Sequence, residues 1–248
     1  MTVPGDDLSN TSVIGRLLEE LSWEGASVRG YRRGGRGREN VLTAEVFLPL
    51  GYLPRQAFLG EVFNAAHGAD QTRAAVASEI EDAEITLLPD ECRLSPSNIV
   101  VQPDASVVSR TTYVLVEVKR IRRSSFQPEQ LAREYVALLL DAQQRTPLLL
   151  VVLGEPPPVR VAGHSERLSL EDAVKSRLDA VSSRMEGVPI SPDEMRRRLP
   201  DTLAWVTWSE IKQITLRQAQ QFTHLDHHLA GTIRRLATSV TTAIDWHT

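Results

Sequence analysis

Apolar residues recur at helical spacing through the first third of the chain. Residues 12–22 place Val13, Leu17, Leu18 and Leu21 on one face, which predicts a helix. Residues 39–50 (ENVLTAEVFLPL) predict a second, stopped near Pro49-Leu50-Gly51. Residues 54–66 predict a third with Pro54 at its first position, and residues 70–80 continue in helical style. The glycine- and arginine-rich stretch 29–38 (RGYRRGGRGR) reads as a loop.

At Ile85 the period changes. Short β-rich runs at 85–88, 98–102, 105–108 and 113–119 are separated by turn residues, the pattern of a meander. Residues 128–142 return to helical spacing, with Leu131, Tyr135, Leu138 and Leu139 on the apolar side. Residues 146–153 (TPLLLVVL) form an unbroken apolar run that suits a strand buried on both faces. An extended connection at 155–160 (EPPPVR) follows. Beyond it lie a helix over 168–184, a short helix over 191–198 and a strand over 203–207. A helix capped by Ser209 and running to about residue 220 comes next, and then a last helix over 224–243. This order predicts a single α/β domain with a mixed central sheet flanked by helices. Its core covers about 39–153, and an α-rich C-terminal elaboration runs from about 160 to 248.

Composition narrows the function classes. With 248 residues, 42% of them hydrophobic, the chain can bury one large core. No apolar run reaches the ~20 residues that span a bilayer, so no membrane partner is expected. The N-terminal stretch lacks a basic flank followed by an apolar segment, so no secretory signal is expected either. Cys92 is the only cysteine, which excludes an intramolecular disulfide and a thiolate zinc cage; a cytoplasmic location is the simplest expectation. The net charge of −4 argues against nonspecific coating of nucleic acid. Local basic runs remain at 29–38, 119–123 (KRIRR) and 196–198, the last read as a solvated face.

The run 113–120, YVLVEVKR, carries candidate chemistry. In a strand, Leu115, Glu117 and Lys119 share one face, and Val114, Val116 and Val118 the other. A carboxylate and an ammonium pointing into a core are costly unless paired or bound. Asp104 lies thirteen residues before Glu117, with Ser109-Arg110-Thr111-Thr112 as a turn between them. A hairpin would set the two carboxylates on neighbouring strands about 5 Å apart. Such a pair repels unless a cation sits between, and hard oxygen donors suit Mg²⁺ or Mn²⁺. Lys119 would then stand beside the metal, placed to position water or stabilise phosphate charge.

Pro103-Asp104, a hairpin's length, Glu117-Val118-Lys119 and then a helix: this succession resembles the PD-(D/E)xK nuclease superfamily over roughly residues 39–153. The resemblance implies a restriction-endonuclease-like αβββαβ core. It also implies metal held by Asp104, Glu117 and the carbonyl of Val118, with Lys119 assisting phosphodiester hydrolysis. It further implies a glutamate on the first core helix, for which Glu39 is the candidate and Glu45 the rival. Gln130 on the next helix matches the start of a Gln-xxx-Tyr pattern, but Tyr135 falls one residue late. The implied activity is Mg²⁺-dependent hydrolysis of nucleic acid, DNA by preference, by a chain that could act as a homodimer in repair, restriction or bacterial defence. The alternative is a catalytically silent nuclease-fold binding or regulatory subunit.

Other matches are weaker. Asp201 with Glu210-Ile211-Lys212 repeats the spacing, but the intervening TLAWVTWS has no turn residue, and Glu210 and Lys212 fall on a predicted helix. Pro89-Asp90 lies far upstream of Glu117. His224 and His228 have i, i+4 spacing without the glutamate of a zinc-protease motif, and no phosphate-binding loop is present.

Overall fold

The computed structural model describes residues 38–94, 99–119, 127–184, 190–224 and 226–247. The helix expected at 12–22, the loop at 29–37 and the basic residues 120–123 lie outside the described residues. So does the side chain of Glu39.

Among the described residues, three helices come first: α1 (Arg38–Tyr52), α2 (Leu59–Ala65) and α3 (Asp70–Glu79). Helix α2 starts later than its sequence suggests. Pro54 begins a turn instead, whose carbonyl accepts the amides of Ala57 and Phe58. Then come β1 (Glu84–Leu87), β2 (Cys92–Leu94), β3 (Ile99–Val101), β4 (Ala105–Val108) and β5 (Thr112–Val118). Helix α4 (Pro128–Asp141) leads to β6 (Thr146–Leu153) and a small ribbon, β7 (Val159–Arg160) with β8 (Arg167–Leu168). Helices α5 (Leu170–Ser182) and α6 (Pro192–Thr202), strand β9 (Leu203–Thr207) and helices α7 (Trp208–Gln221) and α8 (His227–His247) complete it.

The main sheet is mixed, with five strands in the order β1-β4-β5-β6-β9. Strands β1, β4 and β5 pair antiparallel, whereas β5, β6 and β9 run parallel. Strands β2 and β3 leave this sheet as a separate hairpin. The C-terminal part is therefore not purely helical, since it supplies the fifth strand.

Alternation divides the core in two. Val114, Val116, Val118, Leu148, Leu150, Val152, Ala204 and Val206 meet α1, α2, α3, α7 and α8 on one face. Leu115, Leu149, Val151, Leu153 and Leu203 meet α4, α5 and α6 on the other. The unbroken apolar run of β6 follows from this, because both of its faces are covered.

The outer edge of β9 is closed by a short antiparallel bridge. His67 donates its amide to the Trp205 carbonyl at 2.8 Å, and Trp205 returns the bond to His67 at 2.9 Å. Gly68 makes this approach possible. Its φ is +81°, and a Cβ there would sit 2.6 Å from the Leu203 carbonyl oxygen. This pairing satisfies the outward amide and carbonyl of Trp205, in the middle of the edge strand.

Candidate active site

The site forms where β4 begins and β5 ends. Ala105 pairs with Val116, so continuing the register by one residue sets Asp104 opposite Glu117. The backbone fixes Asp104 from both sides: its amide donates to the Val116 carbonyl at 3.1 Å, and its carbonyl accepts from Leu88 at 2.9 Å. Its Oδ2 accepts the Val118 amide at 2.6 Å. A strand residue sends its N–H and C=O to the same side, so the Val118 carbonyl is also turned toward this edge.

Glu117 points to the α4 side of the sheet, as alternation requires, and is 3% exposed; Lys119 is 7% exposed. Lys119 Nζ donates to Glu117 Oε1 and, at 3.2 Å, to Gln130 Oε1. The Lys119 backbone is held from two directions. Its amide donates to Val152 of β6 at 2.8 Å. Its carbonyl accepts the indole N–H of Trp208, a fully buried residue that opens α7, at 2.8 Å.

Gln130 sits in the first turn of α4, which starts with Pro128 at its N-terminus. Its Nε2 donates to Glu117 Oε1 at 2.7 Å and to Glu134 Oε1 at 2.9 Å. Glu134, 2% exposed, is the member that sequence reasoning missed. The signal was its i, i+4 relation to Gln130, which puts both on one helical face. Its Oε2 is buried without a hydrogen-bond partner. Burial first, and then the negative charge of Glu117, hold the Glu134 carboxyl well above the ordinary carboxylate range.

The structure thus brings the buried Glu117 and Lys119 and the half-buried Gln130 into one cluster beside Asp104. Tyr135 turns elsewhere and donates its hydroxyl to the Met195 carbonyl at 2.6 Å. Glu45, the rival on α1, faces α8, where its carboxylate meets His247 at 3.0 Å. Helix α1 packs on the sheet face opposite to Glu117.

The second Asp…Glu-x-Lys match is dispersed. Glu210 caps α7 with Thr207 and also reaches His67 at 2.8 Å, while Lys212 meets Asp245. Ser209 is therefore not the cap. In the 196–198 basic run every arginine is paired with an acid: Arg196 with Asp179 and Asp193, Arg197 and Arg198 with Glu194.

No protein-family model, curated protein or solved structure matches the chain. No described helix is long and apolar enough to cross a membrane.

Among the described residues, no group of three or more His, Cys, Asp or Glu side chains is arranged to hold a metal ion. A divalent ion of the Mg²⁺ type does not require one. It is commonly held by one or two carboxylates and completed by water and substrate phosphate. Asp104 and Glu117 on adjacent strands, with the Val118 carbonyl at the same edge, are a hard-oxygen donor set that fits such an ion.

Proposed function

We propose that the protein is a metal-dependent nuclease that hydrolyses phosphodiester bonds in DNA. One observation carries this reading: a buried carboxylate and ammonium, Glu117 and Lys119, joined by the half-buried carboxamide of Gln130 at the strand end where Asp104 lies. A buried ion pair is a poor means of stabilising a fold, since apolar residues of similar volume do as well or better. Its presence at the carboxyl end of a central strand, where open α/β sheets bind ligands, favours a role in chemistry. The order of a helix, three antiparallel sheet strands, a helix and a parallel strand supports the restriction-endonuclease-like fold.

In this reading Asp104, Glu117 and the Val118 carbonyl hold Mg²⁺ or Mn²⁺. The ion would supply charge neutralisation at the phosphate and a lower pKa for an attacking water. Lys119 stabilises charge developing on the phosphate oxygens, and burial strengthens it for that task. Gln130 holds the ammonium in place, and Trp208 and Val152 hold its backbone. The basic runs at 29–38 and 120–123 grip the phosphate backbone.

Mn²⁺ titration followed by electron paramagnetic resonance tests the ligand set. The wild type should bind Mn²⁺, and Asp104→Asn and Glu117→Gln should each weaken binding at least about tenfold. A wild type that binds none would replace this reading with the catalytically silent binding subunit.

A further inference from the structure

Within this nuclease reading, we infer that Glu134 is a positioning residue: it fixes the Gln130 carboxamide so that its oxygen, and not its nitrogen, faces Lys119. What each neighbour can donate or accept decides the orientation. Lys119 Nζ only donates, so it needs an oxygen opposite. Glu117 Oε1 and Glu134 Oε1 each accept a hydrogen from Gln130 Nε2, at 2.7 and 2.9 Å. Both hydrogens of the amide nitrogen are then used, and Oε1 is left to accept from Lys119 at 3.2 Å. A flipped amide would turn its oxygen to two carboxyl groups and its nitrogen to an ammonium. Without Glu134 one N–H of the half-buried Gln130 amide loses its protein acceptor, and half of what selects the orientation is gone.

The surroundings show that Glu134 is not there for packing. Apart from Gln130, the neighbours of Glu134 on the inward side of α4 are core residues, with Leu131, Ala132, Tyr135 and Leu138 buried around it. Glu134 is 2% exposed, and its second oxygen, Oε2, has no hydrogen-bond partner. A leucine at this position would avoid the desolvation of a carboxyl group. A residue that costs stability and orients a group of the site should reveal itself by opposite effects on the two properties.

The experiment compares wild type, Glu134→Leu, Glu134→Gln, Gln130→Leu and the double variant Gln130→Leu/Glu134→Leu. Each is measured for thermal stability, for Mg²⁺-dependent cleavage of duplex DNA, and for the NMR signals of the Gln130 side-chain amide. Glu134→Leu should melt no lower than wild type yet lose about tenfold to a hundredfold in kcat, with KM for DNA little changed. Glu134→Gln keeps an acceptor oxygen and should recover most of the rate. The double variant should be no slower than Gln130→Leu alone, because Glu134 acts through Gln130. The Gln130 amide signals should shift in Glu134→Leu and stay near wild type in Glu134→Gln. Wild-type rate in Glu134→Leu, or additive losses in the double variant, would overturn the inference. If the wild type cleaves nothing, the nuclease reading fails. The amide signals then decide the positioning role alone, and their constancy in Glu134→Leu would refute it.

Discussion

Lys119→Met removes the ammonium from a site with almost no water access. The side chains of Glu117 and Lys119 are 3% and 9% exposed, so solvent cannot take over the role of the missing partner. Removing one member of a buried pair typically costs about 3–5 kcal/mol, because the other charge stays buried. Gln130 Nε2 would still donate to Glu117 Oε1, which points to the lower end, about 3 kcal/mol. For a chain of this size that corresponds to a melting temperature lower by roughly 6–12 °C. Adding Glu117→Leu should reverse the loss. With both charges gone, neither partner is left buried and uncompensated beside Gln130 and Glu134, and such paired replacements are often neutral or stabilising by about 1–4 kcal/mol. Urea unfolding in EDTA, followed by tryptophan fluorescence and circular dichroism, measures both steps. Lys119→Met within about 1 kcal/mol of wild type, or a double variant as unstable as the single one, would refute the claim that the pair is retained at a cost to stability.

Glu79 gives a pH-dependent test. Hydrogen bonds from the Ser109 hydroxyl at 2.5 Å and the Thr111 amide at 3.0 Å lower its pKa to about 2. In the unfolded chain it titrates near its ordinary value of about 4.3, so its stabilisation is complete above that pH and fades as pH falls toward 2. The stability advantage of wild type over Glu79→Gln should therefore shrink between pH 6 and pH 2.5; a gap that stays constant would contradict this. Trp208→Phe keeps the ring buried but leaves the Lys119 carbonyl without the indole donor. Unfolding free energy should fall by about 1–3 kcal/mol, and a loss of a few tenths would show that the bond matters little.

Much of the fold was legible because its strands and helices have unambiguous neighbours. Residues 146–153 read as a doubly buried strand because nothing polar interrupts them, and β6 is covered on both faces. The alternation in YVLVEVKR placed Glu117 and Lys119 together, and they meet in the structure. Other features depend on tertiary choices that local pattern does not determine. The run near residue 100 has strand character, yet it pairs with β2 in a separate hairpin. The cap of α7 was expected at Ser209, and it lies two residues earlier, at Thr207. The deciding feature was the acid three residues on: Thr207 has Glu210 there, whereas Ser209 has Lys212. Glu134 was overlooked because the inward positions of α4 were sorted by apolarity. A carboxyl group buried at i+4 from a glutamine breaks that rule, and such breaks concentrate where function competes with stability.

Cleavage of DNA at this strand end is the central expectation. The most direct measurement incubates supercoiled plasmid, linear duplex and single-stranded DNA with wild type and Asp104→Asn, in Mg²⁺, Mn²⁺ or EDTA. Asparagine can still offer an oxygen to the Val118 amide, so the strand end should remain folded while a metal ligand loses its charge. The expected result is cleavage by wild type that requires the metal and disappears in Asp104→Asn. Folded wild-type protein that leaves all three substrates intact in both metals, or an Asp104→Asn variant that cleaves as fast as wild type, would contradict it.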